Sequence, residues 1–449
     1  MKDVDWGAMF MTGEDGLEKA QYDKTKAKAL LSDSFFESCP GLVGEVTREI
    51  LAYSIQPYPA FAFAAACTVI GGLKASYLRS DFSATTSNLF FFCFAPAGRG
   101  KDFPRKALVN ALGRMGRTRF LTQRFRSAQG FHSQISRGGS VQIILQDEAH
   151  HFFTSTKNSG EYYLQSIKPL LLELFSGWNN SNLDPGTVIT STSKLEPLIY
   201  PAVSYCGFGV PEGLETTFAG EELVSGFLSR FIVFEDCRDV VAPTETMPEE
   251  PREFAFESDP RLLEILSNCE KYEMLRKTHS EKPHQIEFLE HTYTDDAKEA
   301  YLEFSRKIAD KRNRLPHGKI DVCNRAVELA GKISLALSDG PEITIECVEW
   351  ATELVQKYLI GIEALAYSGE VSEASLENEK VHMLIAGAGP EGITRSELQR
   401  KCSFLRPNGR QKLDSAIKDL TGDDKISMFK KLGTGAIRRK QVTLYRNNP

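Results

Sequence analysis

The run Asn88-Leu89-Phe90-Phe91-Phe92-Cys93-Phe94 ends in Ala95-Pro96-Ala97-Gly98-Arg99-Gly100-Lys101-Asp102 and then opens into a helical pattern. A short apolar, β-like segment feeding a glycine-rich turn and a helix leaves few arrangements open, because the turn's backbone N–H groups then converge at a helix N-terminus. Against the pattern G-x-x-x-x-G-K-[ST], Gly98-Arg99-Gly100-Lys101 fits, whereas Ala95 replaces the first glycine and Asp102 the closing Ser or Thr. The segment reads as a degenerate P-loop, with Pro96 to Asp102 cradling the phosphates of ATP and Lys101 reaching the β/γ-phosphates. A carboxylate at Asp102 is repelled by a triphosphate unless Mg²⁺ lies between them, which makes Asp102 a candidate metal ligand. The plain alternative is an ordinary turn between a core strand and a helix.

A second β-like run, Val141 to Gln146, ends in Asp147-Glu148, 46 residues beyond the lysine. Acids after a strand are usually solvated. In this order after a P-loop they suit nucleotide hydrolysis, Asp147 holding Mg²⁺ through water and Glu148 orienting and polarising the attacking water. His150 and His151 adjoin the pair, but no third ligand stands at zinc-like spacing.

Length and composition agree with an α/β protein of several domains. At 449 residues the chain holds about two to four domains. Its nine cysteines form no C-x-x-C pair, so a reduced, cytoplasmic setting without structural zinc or disulfides is expected. The charged N-terminus offers no secretory signal, and the apolar stretch from Pro59 to Leu73 is too short to span a bilayer and reads as a buried helix.

The formal charge is −6 overall, but residues 376–449 carry fifteen Lys/Arg against eight Asp/Glu, or +7, leaving −13 for the rest. Basic charge is concentrated in one tail, the footprint expected of a nucleic-acid contact. The tail has a winged-helix pattern: a helix over 377–386, a capping box at Thr394-Arg395-Ser396-Glu397 opening a second, and a third over 409–420. Two strands, 426–431 and 441–446, then flank a glycine-rich turn. Arg410 and Lys412 on the third helix, with Arg438, Arg439 and Lys440 on the wing, are the candidate DNA phosphate contacts. A winged helix used only for protein contacts is the alternative.

Residues 1–38 read as a polar arm, 39–240 as the ATPase core with N-terminal helices, and 241–260, rich in Pro, Glu and Thr, as a linker. Residues 261–370 read as a helical domain and 376–449 as the winged helix. Within the helical domain, Arg261 to Thr278 has apolar residues at near-helical spacing, Thr294 caps a second helix carrying Ala297, Tyr301, Phe304 and Ile308, Asp321 opens another through Leu337, and Thr344 starts a fourth.

The order of these features resembles a family of P-loop ATPases from phages and mobile genetic elements, replicative helicases or the helicase half of primase-helicases. The resemblance runs from about Pro40 to Gly361 and includes Pro40-Gly41, the Gly100-Lys101 loop, Ser127-Ala128-Gln129-Gly130, Asp147-Glu148, Ser225-Gly226-Phe227-Leu228-Ser229-Arg230-Phe231, Asn324-Arg325-Ala326 and Ile343-Thr344. It implies a RecA-like or AAA-like core that forms a homo-oligomeric ring, couples ATP hydrolysis to movement on single-stranded DNA, and works with a primase or polymerase. It also implies that Arg230 stabilises the γ-phosphate in the neighbouring subunit; the bland alternative pairs Arg230 with Glu221, Glu222 or Glu235. Arg325 could sense nucleotide in its own subunit or form a helix-surface ion pair, and Ser204 could be a polar sensor or a satisfied core hydroxyl. The expected function is an ATP-driven DNA helicase or translocase. The alternatives are an initiator or helicase loader that binds origin duplex without unwinding it, and a regulatory ATPase whose winged helix binds DNA or protein.

Overall fold

Five parallel strands organise the larger part of the molecule, and their residues explain why they lie inside. The computed structural model describes residues 31–98, 100–122, 127–139, 141–150, 167–177, 197–211, 228–236, 255–278, 286–314, 323–369, 381–382, 384–385, 388, 392–402, 409–422, 426–432 and 441–447. Two compact units divide the chain, Met1–Glu363 and Ala364–Pro449.

The first unit begins with α1 (Asp33–Glu37), α2 (Gly41–Ala52), α3 (Pro59–Lys74), β1 (Leu78–Ser80), β2 (Phe90–Phe94), α4 (Phe103–Arg114), β3 (Leu121–Thr122) and α5 (Ala128–Arg137). It continues with β4 (Val141–Gln146), α6 (Ile167–Phe175), β5 (Ala202–Gly209), β6 (Phe231–Glu235) and α7 (Pro260–Thr278). Then come β7 (Leu289–Tyr293), α8 (Asp295–Arg314), α9 (Ala326–Leu337), β8 (Glu342–Ile343) and all but the last turns of α10 (Ile345–Gly369). The main sheet has the order β3-β4-β5-β2-β6, and every pairing in it is parallel. Every residue of β2, β4 and β5 is buried, as expected for parallel strands covered on both faces, whose sequences run apolar without alternation.

Helix α3 is apolar on nearly every side, and such a helix belongs in a core. All its residues except Ala60 are buried. It packs against β4 and β5, which requires small residues: a Cβ on Gly71 would stand 2.5 Å from the Ser87 carbonyl oxygen, and one on Gly72 would meet Ile143 and Ser204 at 3.0 Å. Helix α9 is fastened to α3 by Lys74, whose buried ammonium donates to the carbonyls of Ala336 at 2.9 Å and Ser338 at 2.6 Å and faces Asp339 at 3.6 Å. Helices α7 to α9, read above as part of a domain of their own, therefore share a unit with the sheet. At the other end of the chain order, Phe35 stacks on Trp350 at 4.7 Å and Phe36 meets Phe234 edge-on at 5.4 Å. Residues 33–38 of the expected arm thus pack into the core, while residues 1–30 lie outside the described residues. A smaller parallel sheet, β1-β7-β8, flanks the main one.

The second unit contains β9 (Ile393–Thr394), α11 (Arg395–Lys401), α12 (Gly409–Gly422), β10 (Ile426–Leu432) and β11 (Gln441–Asn447). The expected capping box is present: the Thr394 side chain accepts from the Glu397 N–H, and Glu397 accepts from the Thr394 N–H at 2.9 Å. Strands β10 and β11 pair antiparallel and β9 joins β11, giving the order β10-β11-β9. Val381, Ile385, Leu398, Leu413, Ile417, Leu420 and Tyr445 close one core. Residues 433–440, with Arg438, Arg439 and Lys440, lie outside the described residues.

Every described cysteine is a buried free thiol. Among the described residues no helix is long and apolar enough to cross a membrane.

Candidate nucleotide-binding site

In an open parallel sheet the crevice beyond the carboxyl ends of the strands is where ligands bind, and two of the motif segments emerge there. Strand β2 runs into the Ala95–Asp102 loop and β4 runs into Asp147-Glu148, with β5 between them. Two strand spacings, about 10 Å, separate those strand ends. The loop after β2 crosses the gap.

Left-handed backbone at Gly98 (φ +74°) and Gly100 (φ +76°) makes the turn possible. A Cβ on Gly98 would meet nothing within 4 Å, so its backbone faces open space where a ligand can approach. Helix α4 begins at Phe103 with Pro104 in its first turn, a position that needs no N–H. Lys101 Nζ folds back to donate to the Ala95 carbonyl at 2.9 Å. Pro96, Ala97, Gly98, Gly100, Lys101 and Asp102 thus form one continuous loop at the sheet edge; Arg99 lies outside the described residues.

The carboxyls of Asp102 and Asp147 stand close enough to hydrogen-bond. Burial first, and then the charge of Asp147, raises Asp102 above the ordinary carboxylate range, against the opposing pull of Arg105 and Lys106. Arg105 pairs with Asp147 at 3.3 Å, and Lys106 stands 3.9 Å from Asp102. Arg105 was not singled out from the sequence: one helical turn beyond the lysine it looks like any polar helix residue, and its partner is 42 positions away. Glu148 has φ +50°, uncommon for a residue with a side chain, and its N–H donates to Asp147 Oδ1 at 2.9 Å. Held strain of this kind concentrates at functional positions. His150 is buried close by, and a Cβ on Gly209, at the end of β5, would stand 3.1 Å from its ring. His151 lies outside the described residues.

The residues fit a hard divalent cation of the Mg²⁺ class. Asp102 Oδ1 is buried with no hydrogen-bond partner among the described residues, and Asp147 supplies the adjacent carboxylate. Among the described residues no group of three or more His, Cys, Asp and Glu side chains gathers for a metal. A cation would therefore take one or two protein carboxylates and complete its shell with water and phosphate, the usual arrangement for Mg²⁺.

Arg230 lies elsewhere. Phe231 pairs with Phe90 at the amino ends of parallel strands, so Arg230 is about 17 Å along the sheet from the loop that follows Phe94. It cannot reach phosphates held by its own Lys101. Glu235 is at the far end of β6, Glu221 and Glu222 lie outside the described residues, and Glu328 is a described carboxylate near Arg230; burial lowers the Arg230 pKa, as does the neighbouring Arg325, while Glu328 raises it. Arg325 is paired with Glu328 at 2.6 Å, which makes it an ion pair at the sheet's amino end and not a sensor for nucleotide on its own loop. Glu328 also faces Lys332 Nζ at 3.8 Å. That lysine is wholly buried and donates to Asn88 Oδ1 at 2.6 Å and to the Phe175 carbonyl at 3.3 Å. Ser204 is a satisfied core hydroxyl, accepting from the Leu89 N–H at 3.3 Å.

In the second unit Arg410 and Lys412 fall within α12, with their side chains outside the described residues, and Arg395 bonds Asp414 across from α11 to α12. No family model matches the chain, and no curated protein matches it in sequence.

Proposed function

We propose that the protein is an ATP-hydrolysing, ring-forming DNA helicase or translocase of phage or mobile-element replication, with a P-loop core and a C-terminal winged helix. The observation that carries this reading is the meeting of Asp102 and Arg105 with Asp147: two segments chosen separately as phosphate loop and acid pair share one sheet edge. In this reading the loop N–H groups and the α4 N-terminus hold the phosphates. Lys101 leaves its carbonyl partner to neutralise the β/γ oxygens. Glu148, beside the loop, orients the attacking water and accepts its proton. Asp102 and Asp147 would hold Mg²⁺, whose chemistry is to neutralise charge on the transferred phosphoryl group. Since Arg230 is remote from its own loop, any action on phosphate would be exerted on an adjacent copy, as the ring reading requires. The helices and antiparallel hairpin of the second unit support the winged-helix reading, with Arg438, Arg439 and Lys440 as DNA phosphate contacts.

The test is ATP hydrolysis with and without single-stranded DNA, paired with strand displacement on a forked duplex. Stimulated hydrolysis with displacement is the expected result. Duplex-stimulated assembly without displacement would move the assignment to an initiator or loader, and no hydrolysis would overturn the nucleotide site.

Asp102 offers a sharper prediction. Asp102→Ser removes one negative charge next to Asp147 but keeps an oxygen ligand, so nucleotide binding should persist while the Mg²⁺ concentration for half-maximal turnover rises about tenfold, equivalent to ~1.4 kcal/mol. A Mg²⁺ titration of the two proteins checks it; an unchanged midpoint would remove Asp102 from the metal set.

A further inference from the structure

Two carboxylates that meet beside a phosphate loop attract divalent cations whether or not a nucleotide is there. Asp102 and Asp147 are such a pair. Asp102 directly precedes α4, yet its side chain caps no N–H of that helix, so it is left facing Asp147. A third side chain changes the charge of the pair.

Arg105 follows Asp102 by three residues, which puts the two on one face at the start of α4. Its Nη2 lies 3.3 Å from Asp147 Oδ2, and its side chain is 12% exposed, so solvent screens the contact little. Asp147 is thereby held by both oxygens, Oδ1 accepting from the Glu148 N–H at 2.9 Å and Oδ2 from the guanidinium. The neighbouring lysines act differently. Lys106 stands 3.9 Å from Asp102 but is 63% exposed, and such a pair contributes little. Lys101 Nζ is turned to the Ala95 carbonyl. Arg105 Nε is buried with no hydrogen-bond partner among the described residues, so it is the charge of Arg105, and not a saturated hydrogen-bond network, that ties it to the acids.

We propose that Arg105 is a positioning residue that makes cation binding at Asp102 and Asp147 conditional on nucleotide, its guanidinium holding the place of the cation until phosphate arrives. The proposal rests on the nucleotide-site reading above. The guanidinium offsets one of the two carboxylate charges and itself repels a divalent cation, so the acid pair alone holds that cation weakly. Phosphates of a bound nucleotide return negative charge to the same place and supply further oxygen ligands. The balance then favours the cation. By linkage, whatever nucleotide does for cation affinity the cation does for nucleotide affinity.

The experiment measures Mn²⁺ binding without nucleotide, from the electron paramagnetic resonance signal of the free ion, beside fluorescent-ATP binding in Mg²⁺, on the full chain. Arg105→Gln removes the charge but keeps a donor, and should bind Mn²⁺ at least about tenfold more tightly than the parent. Arg105→Lys keeps the charge and should stay near the parent, whereas an arginine needed only for its shape would lose its effect in both variants. Adding Asp102→Asn to Arg105→Gln should abolish the gain. A non-hydrolysable ATP analogue should raise Mn²⁺ affinity by a smaller factor in Arg105→Gln than in the parent. Arg105→Met, which fills the space without a polar atom, carries the same expectation if the glutamine variant fails to fold by circular dichroism. Mn²⁺ affinity no higher in the folded uncharged variant than in the parent would overturn the role of Arg105, while fluorescent-ATP binding by the parent would leave the nucleotide site standing. A gain that survives Asp102→Asn would place the cation elsewhere and overturn it too. If the parent binds no fluorescent ATP, the nucleotide reading and this role fall together.

Discussion

Glu148→Gln is expected to lower ATP turnover by about 10²–10⁴-fold, the usual contribution of a positioned general base, while nucleotide binding stays near that of the parent. Gln keeps the shape and the strained backbone of Glu148 but cannot take the proton from water. Lys101→Ala should fail at an earlier step, since the phosphates lose their mobile cation and binding itself weakens. Both lesions lie at one sheet edge and separate the two roles. Fluorescent-nucleotide titration and phosphate release, measured on the same preparations, check the split; parental turnover in both variants would show the site to be wrongly assigned.

Lys332→Ala is expected to destabilise the protein by about 3–5 kcal/mol, because it breaks a buried charged network from one side. Asn88 Oδ1 and the Phe175 carbonyl lose a donor, Glu328 loses a nearby cation, and a cavity is left between α9 and β2. Lys332→Met should cost less, since it fills the space and removes the burden of a desolvated ammonium. Burial, mainly, holds the Lys332 pKa down to about 8, with Arg325 adding to the effect and Glu328 opposing it. An unfolded lysine titrates near 10.4, so between about pH 8 and 10.4 the unfolded chain binds a proton that the folded chain lacks. This group therefore makes stability rise with pH across that window and contributes no slope below it. Urea midpoints of parent and Lys332→Met from pH 7 to 10 test the sign: the parent should gain relative to the variant as pH rises.

Elements whose local chemistry is self-contained were legible in the sequence. The length and apolarity of residues 59–73 announced a buried helix, and Thr394-x-x-Glu397 marked the start of α11 to the residue. Glycines at 98 and 100 before Lys101 signalled the turn because only glycine adopts positive φ there without strain. The remainder depends on partners distant in sequence. Arg105 becomes notable only when β4 delivers Asp147, and Arg230 meets Glu328 across about a hundred residues. The sheet β1-β7-β8 escaped because its strands are short and Leu289, Glu290 and Thr292 are exposed, leaving no alternation to read. Phe256 was hidden in a polar stretch read as linker; one buried aromatic whose N–H donates to Glu49 at 3.1 Å makes no period.

A strand apolar at every position carries no information about its own alignment. Sliding β2 by one residue would exchange one phenylalanine for another and leave the burial of its faces almost unaltered. Asn88 removes that degeneracy. Its amide donates to the carbonyls of Phe175 and Val203, and its oxygen receives Thr86 and Lys332, so only one alignment satisfies all four bonds. Because Lys101 hangs from the far end of the same strand, the address of the lysine at the sheet edge is written by an asparagine at the opposite edge.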